Sequence, residues 1–345
     1  MKHFIFYTLC IPFIDIYITN PGIVRELGLR KNEMTMYSHL TKEQQNILSA
    51  SIEETKNTRA YYGGMSYNTC AEIAKKQENI RVVFIGPFST DRLTHEVFSN
   101  AIMGNVNNLE ILPEFVNSES GRCFVIPNGR NRAMITKTND EQVVSKGMVD
   151  KFIECVNSSE DSSISALYIS GYTVESSAES MQYLLEQKRR AKKCISIFNL
   201  ADPGVIDRIY EKVRCFIKES DWVIGNEDEY NKLFMKEVGR APGSREEMHR
   251  HVQKSMCNAV ITAGPEETVV LYEKPDKNGI KADKSKIAVK PKEIEVNNTT
   301  GAGDVFAASF FSSILKEEET VEESLNRAIK RTNSYLLKLS GKRVE

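Results

Sequence analysis

The 345-residue chain lacks a long apolar run, an excess of either charge, a Cys-x-x-Cys pair, an internal repeat and any low-complexity tract. Each absence removes a class of function. With 46 basic and 47 acidic residues the formal net charge is −1, and no basic face gathers, so nucleic acid is excluded as a partner. The seven cysteines are scattered and odd in number, which excludes a disulfide framework and points to reduced thiols in the cytoplasm. Without some 20 consecutive apolar residues, no helix is expected to span a membrane. Without linkers, the length is spent on one α/β core and a small accessory unit.

The most apolar stretch is Phe4-Ile5-Phe6-Tyr7-Thr8-Leu9-Cys10-Ile11-Pro12-Phe13-Ile14, behind Lys2. It mimics a secretory leader, but no small-x-small cleavage site follows and Asp15 interrupts it. A central β-strand over residues 3–14, covered on both faces and so without alternation, explains the same residues.

The stretch around which the chain is organised is Asn298-Thr299-Thr300-Gly301-Ala302-Gly303-Asp304. Strand candidates precede it, Ile287-Ala288-Val289 and Ile294-Glu295-Val296. Apolar residues at Val305, Phe306, Phe310, Phe311, Ile314 and Leu315 then follow at helical spacing. A glycine turn opening a helix aims unpaired N–H groups outward, where the helix dipole also favours an anion. Glycine lets a ligand approach the backbone. Asp304 at the lip of a phosphate cradle makes sense if it acts on a hydroxyl that attacks a phosphoryl group held there. The same residues also fit an ordinary strand-to-helix turn with an acidic first turn. No Gly-Lys-Ser/Thr follows, so this is not a Walker loop, and no third glycine completes a dinucleotide fingerprint.

Thr300-Gly301-Ala302-Gly303-Asp304 resembles the signature of the ribokinase-type (PfkB) carbohydrate and nucleoside kinases, Asp-Thr-x-Gly-Ala-Gly-Asp, with Asn298 in place of the leading Asp. Further stretches resemble that family in order. Ile11-Pro12-Phe13-Ile14-Asp15 stands for Gly-Asn-Pro-x-x-Asp. Gly63-Gly64 with Asn68 stands for Gly-Gly-x-x-x-Asn. Gly86 through Asp91 stands for Gly-x-x-Gly-x-Asp with Ser89 at the second glycine. Asn226 and Glu229 stand for Asn-x-x-Glu, and the end of Ala259-Val260-Ile261-Thr262-Ala263-Gly264 for Thr-x-Gly. A sequon at Asn298-Thr299-Thr300 is a further reason against secretion, since a glycan would obstruct this site.

The resemblance implies an α/β fold, a doubly wound, mostly parallel, ribokinase-like sheet with a small β-rich lid. Residues 1–15, 61–111 and 141–345 are expected in the core, and 16–60 and 112–140 in the lid. Within the family the chain looks most like the members that pass the γ-phosphate of ATP to the 5′-hydroxyl of adenosine, a purine salvage step. It implies Asp304 as base, with the N–H groups of Gly301, Ala302 and Gly303 and the lid cation Arg132 on the transferring phosphate. Asp15, Gly63, Gly64 and Asn68 are expected to hold the sugar. Asn226, Glu229, Gly264 and Thr300 are expected on the ATP side, with Glu229 reaching Mg²⁺ through water. The helix N-terminus is expected to depress the pKa of Asp304. Two aromatic positions that sandwich the base in such members are Thr173 and Gly204 here, with Tyr172 alongside. Partners are therefore a nucleoside and ATP, with no nucleic acid or membrane, and the protein is expected to be a monomer. A sugar kinase of the same family and a non-catalytic nucleoside-binding relative remain open.

The remaining elements follow from pattern. Helices are expected at 41–57, 92–104, 176–192, 204–218 and 318–338, a Cys123 to Thr136 hairpin across Asn128-Gly129-Arg130-Asn131, and a charged surface loop at 274–286.

Overall fold

Strand β1 (Phe4–Leu9) is buried at every residue. In the computed structural model, which describes residues 3–20, 22–30, 34–54, 59–77, 79–103, 108–128, 131–160, 162–191, 194–275, 282–296, 299–316 and 319–342, it lies inside a nine-stranded sheet. It runs parallel to β5 (Ile80–Ser89) and β9 (Ile164–Ser170), its two neighbours. Two covered faces leave no place for polar alternation, which is why this strand imitates a leader. Outward from β9 come the parallel strands β10 (Cys194–Asn199), β11 (Trp222–Asn226) and β12 (Asn258–Thr262). Antiparallel β13 (Thr268–Pro275) and β14 (Ala282–Val289) close that edge, and parallel β6 (Leu109–Val116) the other.

Helices cover both faces, so the sheet is doubly wound. One face carries α5 (Lys146–Ser158), α6 (Gly171–Ser176), α7 (Ala178–Gln187), α8 (Pro203–Glu219), α9 (Glu227–Val238) and α10 (Arg245–Ser255). They bury Phe152, Met181, Phe216, Tyr230 and Met248 against it. The other face carries α3 (Met65–Lys76), α11 (Ala302–Leu315) and α12 (Val321–Leu339), packed around Trp222, Phe306, Phe310 and Phe311.

A second sheet has the order β3-β8-β7-β2-β4. Its strands are β2 (Phe13–Tyr17), β3 (Met34–Met36), β4 (Arg59–Gly63), β7 (Arg122–Asn128) and β8 (Asn131–Lys137). Ile14, Ile16, Phe124 and Ile135 pack its inner face against α1 (Ile23–Glu26), α2 (Lys42–Glu54) and α4 (Arg92–Met103). Alternation in β2 leaves Phe13, Asp15 and Tyr17 half-exposed on the opposite face.

Some expectations need correction. The single strand over residues 3–14 is two strands, because Pro12 offers no N–H for a ladder and the chain changes sheets between Leu9 and Phe13. Most of the loop expected at 274–286 belongs to the β13–β14 hairpin, whose connection at 276–281 lies outside the described residues. Ile294-Glu295-Val296 forms no strand. Gly129 and Arg130 of the expected hairpin turn also lie outside the described residues, as does Asn298. Among the described residues, no helix is long and apolar enough to cross a membrane.

Candidate active site

The turn before α11 rests on Gly301, which takes a left-handed φ of 73° as the N-cap residue. A Cβ at Gly301 would lie 2.9 Å from the Tyr335 hydroxyl, which donates to the Thr300 carbonyl at 3.0 Å. Glycine is therefore required twice over at this position, by conformation and by the neighbouring ring. The Ala302 N–H does not point outward as expected. It donates back to the Thr299 carbonyl at 3.2 Å and closes the turn. Gly303 is exposed, with nothing within 4 Å of where a Cβ would stand.

Asp304 follows in the first turn of α11, half-buried. Its Oδ2 accepts a hydrogen bond from Asn68 Nδ2 at 3.1 Å, so Asn68 steadies the carboxylate from α3. Burial pushes the Asp304 carboxyl up to about 6, against the Asn68 hydrogen bond and the Arg132 charge, which both pull it down. The expected depression by the helix dipole is thus overturned, because desolvation of the charged form is the larger effect.

Asp15 meets this group from β2, where it stands opposite Tyr61 of β4 and beside Cys123 of β7. Its carboxyl is pushed up to about 7, first by burial and then by the negative charge of Asp304. A methyl at Gly63 would overlap both carboxylate oxygens of Asp15. Gly63 therefore exists to seat Asp15. Gly64 has a φ of 89° and caps α3, the helix that carries Asn68. Arg132, half-buried on β8, has its pKa lowered by burial and is drawn the other way by Cys123, Tyr17, Asp304 and Tyr335. Its Nε donates to Met134 Sδ at 3.5 Å. Two carboxylates, an asparagine and an arginine thus come together at the N-terminus of α11.

Asn226 and Glu229 form a second group at the start of α9. Asn226 donates from its backbone N–H to Glu229 Oε2 at 2.8 Å and from Nδ2 to Oε1 at 2.7 Å, while the Glu229 N–H donates to Asn226 Oδ1 at 2.9 Å. Glu229 is 5% exposed, and burial pushes its carboxyl up to about 8, with Asp202 adding to the rise. A Cβ at Gly225 would come within 2.7 Å of Glu229 Oε2, so this neighbour too is glycine to admit a carboxylate. Both oxygens thus accept hydrogen bonds within the capping box, and burial favours the neutral carboxyl. Among the described residues no three His, Cys, Asp or Glu converge as a metal ligand set.

Gly264 follows β12 with a φ of 59°, exposed and with open space about it. The two positions where rings were expected are closed. Thr173 is 3% exposed and held by Ser170, while a Cβ at Gly204 would meet Asp202 Oδ1 at 2.7 Å and Arg208 Nη1 at 2.8 Å. Tyr172 packs partly buried against the core. Sequence reasoning passed over Tyr335 and the Tyr17–Tyr61 ring pair (centroids 6.1 Å apart) on the cleft face of the small sheet. The alternation of β2 was the available signal for Tyr17.

A sequence model described as pfkB family carbohydrate kinase matches residues 33–331. The adenosine kinase of Schizosaccharomyces pombe is 26% identical over 335 residues, covering 91% of this chain and 89% of its own. Among solved structures, the adenosine kinase from Schistosoma mansoni in complex with 2-fluoroadenosine shares the fold with a TM-score of 0.76 at 17% identity, covering 96% of this chain and 94% of its own. A probable sugar kinase protein from Rhizobium etli gives 0.74 at 17% identity, covering 100% and 96%. With the family model spanning most of its length, this chain belongs to the pfkB family of carbohydrate kinases.

Proposed function

We propose that this protein is an adenosine kinase, transferring the γ-phosphate of ATP to the 5′-hydroxyl of adenosine to give AMP and ADP. The observation that carries the reading is Asp304 itself, a carboxylate at a helix N-terminus, steadied by Asn68, with its pKa brought near 6. A base tuned toward neutrality and set beside an anion cradle suits a hydroxyl attacking a phosphoryl group. The similarity to adenosine kinases over nine-tenths of the chain supports adenosine as acceptor.

In this reading Asp15 accepts from the ribose 2′- and 3′-hydroxyls, which sets the 5′-hydroxyl toward Asp304. The 5′-oxygen forms its bond to the γ-phosphorus as the bond to the β-bridging oxygen breaks. The hydroxyl proton passes to Asp304, and ADP leaves. The Gly301 and Gly303 N–H groups and the Arg132 guanidinium stabilise charge on the transferring group. Gly264 and Thr300 line the nucleotide side, and Asn226 with Glu229 keeps the α9 terminus in register. The small sheet, built from residues within 16–60 and 112–140 and their flanks, acts as a lid that excludes water. Magnesium would accompany ATP as the counter-ion of its phosphates, with Glu229 reaching it through water, since no three His, Cys, Asp or Glu form a direct ligand set among the described residues.

The test is kcat/KM with Mg-ATP for adenosine, 2′-deoxyadenosine, inosine and free ribose. Adenosine is expected to lead, with loss of the 2′-hydroxyl costing about 1–3 kcal/mol. Free ribose as best acceptor would transfer the assignment to a sugar kinase, the reading that the closed positions at Thr173 and Gly204 favour.

A further inference from the structure

The N-terminus of α11 is held from two sides by helices that share a face. On α3, Asn68 and Glu72 stand one turn apart, as Arg331 and Tyr335 do on α12. Asn68 donates to Asp304 at 3.1 Å. Glu72 Oε1 accepts from Arg331 Nε at 3.2 Å and from Nη2 at 2.6 Å, with Glu72 the more buried partner. Tyr335 donates to the Thr300 carbonyl at 3.0 Å and its hydroxyl lies against Gly301. These contacts close a belt from Asp304 through α3 and α12 back to the turn that precedes Asp304.

We propose that Tyr335 is a positioning residue for phosphoryl transfer, braced by the Glu72–Arg331 pair; this rests on the kinase reading above. The Thr300 carbonyl and the Gly301 N–H belong to one peptide unit. A donor on that carbonyl polarises the peptide and makes its N–H a stronger donor to an anion. It also fixes the plane of the peptide, and with it the left-handed φ of Gly301. Tyr335 therefore acts on the phosphate through Thr300 and Gly301, touching neither substrate. Its phenol titrates above its ordinary value, through burial first and then Asp304 and Glu72, so the hydroxyl stays protonated as a donor.

Tyr335→Phe removes the hydroxyl and keeps the ring. Turnover with Mg-ATP and adenosine is expected to fall about 3- to 10-fold, the scale of one hydrogen bond. KM for adenosine should stay within two-fold, and Phe should retain more activity than Ala. Amide hydrogen exchange in the free protein should quicken across residues 300–304 in Tyr335→Phe while the rest of α12 is unchanged. Arg331→Gln should quicken the same segment more weakly. Unchanged turnover and exchange in Tyr335→Phe would overturn the proposal, as would equal losses in turnover and adenosine affinity. If the parent protein itself phosphorylates no nucleoside, the kinase reading fails on that result, and the brace is then decided by the exchange measurement alone.

Discussion

Gly63→Ala replaces a hydrogen by a methyl on β4 and reaches the site only through Asp15. Gly63 lies outside the left-handed region, so alanine brings no backbone strain there. The methyl would overlap both Asp15 oxygens, while Asp15 sits on a strand and cannot retreat without leaving the cleft. The carboxylate must rotate away and lose two hydroxyl partners. Hydrogen bonds to a charged group contribute about 1.5–3 kcal/mol each, which for two gives a loss of roughly 3–6 kcal/mol, or about 10²- to 10⁴-fold in kcat/KM for adenosine. 2′-Deoxyadenosine, which has one of those hydroxyls fewer, should lose less. Because the effect passes through Asp15, Gly63→Ala placed on Asp15→Ala should cost less than about three-fold more. Steady-state assays of the four proteins on both nucleosides make the cycle. Equal cost of Gly63→Ala in the two backgrounds would refute the reasoning, since the glycine would then be serving the substrate directly.

Arg132→Ala should lower kcat by about 10²-fold while KM for adenosine moves only a few-fold, because its charge is needed mainly in the transition state; a pure KM effect would put it in the acceptor pocket. The acid limb of the kcat/KM profile should fall as pH drops through about 7 and then about 6, where Asp15 and then Asp304 take up a proton. Stability should move the opposite way. Asp15, Asp304 and Glu229 have folded values near 7, 6 and 8, above those of an unfolded chain, so the native state binds more protons and loses stability as pH rises from about 4 through about 8. Melting at pH 5 and pH 8 checks the sign. Glu229→Ala removes one half of the α9 capping box and should cost about 1 kcal/mol of stability, read as a lower Tm with adenosine KM little changed.

Much of this site is legible where chemistry is concentrated in short motifs. The glycine turn before Asp304, the pairing of Gly63-Gly64 with Asn68, and the buried first strand are local patterns, and the structure builds helices and strands on them. What escapes is set by contacts across the fold. Gly63 reads as space for the sugar, yet it makes room for the carboxylate of Asp15, and Gly225, which carries no signal in the sequence, does the same for Glu229. The pKa of Asp304 follows from burial that no helix-dipole argument contains. Asn68 reads as a sugar contact, and its partner lies 236 residues away. Tyr335 has no motif around it, since a tyrosine on a charged helix looks like surface until α12 docks beside Gly301. Strand β14 reads as loop because an edge strand with one wet face can carry Lys284 and Lys286, both exposed.

The central claim is that Asp304 drives phosphoryl transfer from ATP to adenosine, and product analysis of parent and Asp304→Asn tests it most directly. Asparagine keeps the shape and removes the base, and the variant should melt no lower than the parent at pH 7.5 because a partly buried charge is gone. Incubation with adenosine and Mg-ATP, with AMP and ADP quantified by chromatography, should give equimolar products from the parent and a rate lower by about 10²- to 10⁴-fold from the variant. AMP formation at near-parental rate by Asp304→Asn, or none from the parent, would contradict the account.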